Sequence, residues 1–271
     1  MMQDHGRNRS RSQIGRLCVA ATVALTMTVP LAQNATAEPG DDAKQILHKM
    51  SDYVAGQKTI SIKYDSDIEV ITSELQKIQF TNSGQLQLSR PDKLRVTRIG
   101  GYADTELVFD GKILTAFTKD DNLFAQIEAG GSVDQLVERL RGEQGVVAPG
   151  ADLLLSNVFD HLMADVIDAR HIGRGVIDGV ECEHLAFRNM DSDWQLWIGI
   201  EANPIPLKYV ITSKAVAGAP QYTLRIKEWK TDAPGADAFA FTAPQGAKKV
   251  ALEGLANFDE VPQGIVAGGK K

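Results

Sequence analysis

The chain has 271 residues, of which 43% are apolar and 6% aromatic, and a net charge of −6. That acidic balance disfavours nucleic acid and anionic membrane surfaces as main partners. With only Cys18 and Cys182 there is no disulfide framework, so stability has to come from a hydrophobic core.

Arg7, Arg9, Arg11 and Arg16 precede an apolar run from Leu17 to Leu31, and Ala35-Thr36-Ala37 has the small-x-small spacing of a cleavage site. Residues 1–37 therefore read as a secretory signal that exports the rest of the chain. The run is shorter than the ~20 residues of a spanning helix, so an integral membrane protein is not expected. Without Arg7, Arg9, Arg11, Arg16 and Asp4 the balance becomes 25 basic to 34 acidic side chains, a net −9.

From Asp41 to Tyr53 the apolar residues Ala43, Ile46, Leu47, Met50 and Tyr53 keep helical spacing, with Asp41 and Asp42 at the dipole-favoured start and Gly56 near the end. Extended runs separated by turn residues follow: 60–72, 75–82, 85–89, 93–99, 105–110, 112–118 and 123–128. They predict an antiparallel meander of seven strands. Asp110-Gly111 and Asp178-Gly179 are turn pairs suited to two-residue hairpin loops. Such loops put Leu107 opposite Leu114 and Val108 opposite Ile113 in the first hairpin. In the second they put Arg174 opposite Glu183, Ile172 opposite Leu185 and Ile177 opposite Val180. Both faces of the first hairpin are then apolar, so its sheet needs cover on both sides, by helices, by a second layer or by a ligand.

Ser132 and Gln135 form a capping-box pattern ahead of Val133, Leu136, Val137 and Leu140, and a second helical pattern runs from Ala151 to about residue 164, interrupted near Ser156-Asn157. Strands return at 166–176, 180–188, 194–200, 207–213 and 222–230. Residues 247–271, rich in glycine, read as a flexible tail. The economical arrangement is one long curved sheet with helices laid on it.

Nucleophile-elbow, phosphate-loop and dinucleotide fingerprints are absent, so an enzyme is not expected and no catalytic residue is assigned. Cys182 and His184 share one strand face, with His171 on the partner strand, but two or three ligands fall short of a structural metal site. A buried thiol and a satisfied histidine are the ordinary reading, and neither metal nor cofactor is assigned.

Arg90-Pro91-Asp92-Lys93-Leu94-Arg95-Val96, Phe109-Asp110-Gly111-Lys112, Trp194-Gln195-Leu196-Trp197-Ile198 and Pro204-Ile205-Pro206-Leu207-Lys208 together resemble the periplasmic carriers of the LolA/LppX-like lipoprotein-localisation superfamily. With Asp178-Gly179-Val180-x-Cys182-x-His184-Leu185-Ala186-Phe187 the chain is more closely similar to a family of predicted periplasmic proteins within it. The resemblance spans about residues 41–246. It implies an α+β fold over 38–246: a strongly curved antiparallel sheet, an incomplete barrel, with helices on the concave side sheltering acyl chains. It further implies that Arg90, at the Arg-Pro corner, latches the helical lid; the plainer alternative is that Arg90 binds a corner carbonyl or carboxylate. The expected function is a non-enzymatic carrier of an apolar or amphiphilic ligand such as a lipid, lined by Leu107, Phe109, Leu114, Trp194 and Leu196, or by Val108, Ile113 and Trp197 if the other face is used. The alternative is a module that docks an envelope protein and whose core is filled.

Overall fold

The structure is a computed structural model that describes residues 40–144, 149–235, 237–255, 258, 260–262 and 265. The expected signal segment, 1–37, lies outside the described residues. Helix α1 (Asp41–Gly56) forms as its spacing predicts. Its apolar stripe of Ala43, Leu47, Met50 and Val54 is buried, and Asp41 and Asp42 sit in the first turn.

Six strands follow: β1 (Thr59–Ile71), β2 (Lys77–Ser89), β3 (Lys93–Gly100), β4 (Asp104–Phe109), β5 (Ile113–Thr118) and β6 (Leu123–Glu128). A helical stretch comes next, comprising α2 (Val133–Gln144), a single 3-10 turn (Ala151–Leu154) and α3 (Val158–Met163). The chain then forms β7 (Asp168–Ile177), β8 (Val180–Arg188), β9 (Ser192–Gly199), β10 (Pro206–Ser213) and β11 (Gln221–Lys230). A short β12 (Lys248–Lys249) closes the series. All of them join one open sheet in the order β12-β6-β5-β4-β3-β2-β1-β11-β10-β9-β8-β7. Every neighbouring pair is antiparallel except β12 with β6. The β1–β11 pairing fuses the two meanders into one open sheet.

Three local expectations are corrected. The runs 75–82 and 85–89 are one strand, β2, because Gly84 is not a turn residue. It sits under the Tyr64 ring, where an added Cβ would lie 2.3 Å from Tyr64 Cζ and 2.5 Å from the Thr97 carbonyl. In the first hairpin the loop is longer than two residues. Asp110 Oδ1 accepts the Lys112 and Ile113 amides at 2.9 and 2.8 Å, and Phe109, not Leu107, stands opposite Leu114. The slip is an even number of residues, so every side chain keeps its expected face. In the second hairpin Ile177–Val180 and Arg174–Glu183 pair as read, but a bulge between His171 and Gly173 places His171, not Ile172, opposite Leu185.

The capping box forms in both directions: the Gln135 amide donates to Ser132 Oγ (3.2 Å), and the Ser132 amide donates to Gln135 Oε1 (2.9 Å). Both sheet faces are covered. On the convex face Phe241 packs against Phe117 and Phe124, with ring centroids 5.7 and 5.4 Å apart, and Phe239 is buried beside it. The stretch read as a tail begins with a contact: β12 pairs with β6, and the Val250 amide donates to the Phe124 carbonyl.

Candidate functional site

The concave face divides into an apolar half and a polar half. In the apolar half, Phe109 and Leu114 from β4–β5, and Trp194 and Leu196 from β9, are buried in one core with Leu47 and Met50 of α1; Leu107 packs half-buried against it. The structure thus brings the five residues singled out from sequence onto one face. The alternative set lies on the other face: Val108 is buried there, Ile113 is partly exposed, and Trp197 stacks on His184. Trp194 stacks on Phe187 at 3.9 Å, and its indole N–H donates to Asn189 Oδ1.

The helical stretch forms the outer layer. Val133, Leu136, Val137, Leu153, Leu155, Val158 and Leu162 turn inward and are buried. Few polar ties hold this cover to the sheet corner. The Val133 amide donates to the Pro91 carbonyl at 2.8 Å. Arg90 Nε donates to the Gln57 carbonyl (3.1 Å), and its Nη2 donates to the Leu155 carbonyl (3.2 Å). One guanidinium therefore bridges the end of α1 and the turn preceding α3, the fork geometry that suits arginine to several acceptors. Burial pulls the Arg90 guanidinium below its ordinary value, and the nearby Asp134 carboxylate opposes that shift. Asp134 also accepts from the Ser156 hydroxyl and amide, and Arg141 pairs with Asp152 at 2.8 Å, so the cover is cross-braced within itself.

Among the described residues, these inward side chains of the cover pack into the same core as the apolar half. Two pockets open on the described surface. One, of about 60 Å³, lies on the convex face between Val108, Thr115, Phe239 and Phe241. The other, of about 240 Å³, lies at the β7 end among Arg170, Ile172, Arg188 and Asp193, and is also lined by Phe187 and Trp194 of the apolar half.

The polar half escaped the sequence reading. Following β3 along its concave-facing positions, Leu94 and Val96 are succeeded by Arg98, which stands opposite Gly84, with Tyr64 across from Gly84 on β1. Tyr222, Ser66 and Asn82 lie alongside in the same face. Arg98 is only 14% exposed. Its Nη2 donates to the Phe258 carbonyl, and its Nη1 lies 3.8 Å from Glu260 Oε1. Burial, reinforced by the Glu260 carboxylate, pushes the Tyr64 phenol up to about 12 and the Tyr222 phenol upward as well. A signal was available in the sequence: a basic residue two positions beyond Val96 and four beyond Leu94, in the phase that points into a core.

Cys182 is fully buried, and desolvation raises its thiol. His184 stacks on Trp197 and pairs with Gln195, whereas His171 pairs with Glu183 at 2.7 Å. The three are not convergent, and among the described residues no group of three or more His, Cys, Asp or Glu is placed to hold a metal ion. No described helix is long and apolar enough to cross a membrane.

Among solved structures, the chain is similar to LprF from Mycobacterium bovis (13% identity, TM-score 0.41, covering 78% of this chain and 99% of that one). It is also similar to the LolA superfamily protein NE2245 from Nitrosomonas europaea (14%, TM-score 0.32, 73% and 97%). A third similarity is to the MucA/MucB complex of Pseudomonas aeruginosa (13%, TM-score 0.40, 74% and 62%). No curated protein matches the sequence. Residues 43–253 match the family model described as "Predicted periplasmic protein (DUF2092)", and the chain belongs to that periplasmic family.

Proposed function

We propose that this is a periplasmic, non-enzymatic binding protein that takes up the acyl part of an amphiphile against the apolar half of its concave face when the helical cover lifts. The observation that carries the reading is the construction of that cover: three short helical pieces, braced to one another and tied to the sheet corner through the Arg90 fork.

The magnitudes are compatible. Seven inward side chains of the cover, at ~1.5–3 kcal/mol each, contribute on the order of 10–20 kcal/mol. An acyl chain of about 16 methylenes at ~0.8 kcal/mol each offers about 13 kcal/mol, so it can replace the contacts between cover and sheet. Leu107, Phe109, Leu114, Trp194 and Leu196 are the lining residues in this reading, and Arg90 is the latch.

A second reading, an envelope protein-interaction module, is favoured by two observations. The inward side chains of the cover are buried in one core with the apolar half, and β7 ends the sheet with Ile172 and Val176 exposed along it. Native mass spectrometry of the protein purified from its own host separates the two. A bound mass in the range of a lipid, exchangeable for a fluorescent fatty acid, is the expected result; ligand-free protein that takes up no fatty acid and copurifies with a protein partner would favour the module.

A further inference from the structure

We propose that the end of the sheet formed by the β1–β2, β10–β11 and β8–β9 turns docks on the interface of a zwitterionic bilayer, with Leu75, Val216 and Met190 inserted into it. The inference goes beyond the binding-protein reading and uses none of the residues assigned to the ligand.

The three turns stand side by side. Their strands follow one another in the sheet as β2-β1-β11-β10-β9-β8, so successive turns are two strand spacings, about 10 Å, apart. Contacts between the turns fix the row. A Cβ added at Gly218 would lie 2.8 Å from Ile71 Cδ1 at the end of β1. The Lys214 amide donates to the Asp191 carbonyl at 2.8 Å, and its ammonium donates to the Asn189 carbonyl and to Asp193 Oδ1.

Each turn carries a large apolar side chain into solvent. Met190 and Leu75 are 76% and 74% exposed, the highest values among the described large apolar residues, and Val216 is 45% exposed. Between Lys214 and Gln221 the chain reads Ala215-Val216-Ala217-Gly218-Ala219-Pro220, with no polar side chain, and 215–218 are all exposed. Turns ordinarily take polar residues or glycine, and a run of exposed apolar ones is out of place unless it meets a partner. The backbone at Leu75 makes the same point. Its φ of +64° lies in the left-handed region that suits glycine or asparagine, and the leucine placed there packs against little of the fold.

Apolar tips about 10 Å apart on separate turns leave no continuous patch for a rigid protein surface to cover, whereas lipid fills in around each one. The flanking charges, Glu74, Lys77, Asp191, Asp193 and Lys214, are of both signs and net acidic, so attraction to anionic headgroups adds nothing to the apolar contact. The side chains of Leu75, Met190, Val216, Ala215 and Ala217 offer about a dozen carbons, comparable with one myristoyl chain, so docking is reversible with a partition constant on the order of 10⁴ M⁻¹.

The test is binding of the mature chain to phosphatidylcholine vesicles, with an environment-sensitive fluorophore on Leu75→Cys, Met190→Cys or Val216→Cys, and on Ala202→Cys in the exposed β9–β10 turn at the opposite end of the sheet. The native Cys182 is buried and does not compete for the label. Labels at the three tips should shift to the blue and be quenched by nitroxide carried on the lipid chains, while the label at Ala202→Cys should do neither. In the unlabelled protein Leu75→Asp and Met190→Asp should each weaken partition about tenfold without lowering the midpoint of thermal unfolding, and together they should abolish it. Exchanging part of the lipid for phosphatidylglycerol should not strengthen binding, and binding that rises with it overturns the choice of a zwitterionic surface. No binding of the mature chain to vesicles, equal quenching at Ala202→Cys, or binding that survives the double substitution overturns the docking and leaves the acyl-binding reading standing. Crosslinking of the three tips to an envelope protein in place of lipid likewise overturns it and assigns this end to a protein partner.

Discussion

Replacing Arg90 by alanine separates a latch from a corner fastener. The substitution removes two charge-assisted hydrogen bonds, to the Gln57 and Leu155 carbonyls. Each contributes ~1.5–3 kcal/mol, partly offset by the desolvation of the guanidinium, so a total loss of about 2–4 kcal/mol is expected. Only the Leu155 half holds the cover. If that share, ~1–2 kcal/mol, acts on the closed state, uptake of a fatty acid should tighten about 5- to 30-fold as the closed form ceases to compete. Hydrogen exchange read by mass spectrometry should show protection lost from residues 151–163 and retained in β1–β5, and Arg90→Lys, which keeps the charge without the fork, should behave like alanine. Uniform loss of protection across the sheet with unchanged uptake would refute the latch and return Arg90 to the plainer role of tying a corner.

Further outcomes follow from the packing and the buried polar groups. Phe109→Ala removes a fully buried ring from the core and should cost ~3–5 kcal/mol in urea denaturation. Gly84→Ala should cost ~1–3 kcal/mol or more, since the Tyr64 ring and the Thr97 carbonyl must both yield; combining it with Tyr64→Ala should recover part of the loss. The phenol of Tyr64 has a higher pKa folded than unfolded, so its contribution is complete below about pH 10 and is lost as pH rises toward about 12. Tyr64→Phe should therefore flatten the alkaline fall in stability, and an unchanged alkaline profile would contradict the assigned burial. Asp110 shows the opposite sign: the Ile113 and Lys112 amides hold its carboxyl below the usual range. Its contribution is present above the unfolded pKa and vanishes as pH falls through the folded one, so Asp110→Asn should weaken the fold at neutral pH and matter less in acid. The Cys182 thiol should resist a disulfide reagent in the native protein and react on unfolding.

The sequence made the two antiparallel meanders and the helical cover legible because period-2 and period-3.6 patterns survive local errors, while the β1–β11 junction was not read from it. The β4–β5 register slipped from the expected one, yet Leu107, Phe109 and Leu114 kept their common face because the slip was even. What stayed hidden depended on partners distant in sequence. Gly84 read as a turn because its reason, the Tyr64 ring, lies on another strand. The bulge at Ile172 has no composition cue beyond Gly173. Arg98 meets Phe258 and Glu260, some 160 residues on, and that segment's glycine-rich surroundings read as a tail. Phe239 and Phe241, between the last predicted strand and the stretch read as a tail, were assigned no role, yet they cover the convex face and shield its apolar side. The burial of the cover's side chains in the core of the apolar half was likewise beyond the pattern, since alternation tells which face is apolar and not how tightly a helix packs on it.

The most direct measurement of the central claim is photo-crosslinking of the mature chain with a diazirine-bearing fatty acid, followed by peptide mapping. Adducts should fall on β4, β5 and the inward face of residues 151–163, around Leu107, Leu114 and Leu155, and should be competed away by unlabelled oleate. Adducts confined to the exposed β7 edge, or none that oleate displaces, would contradict the account.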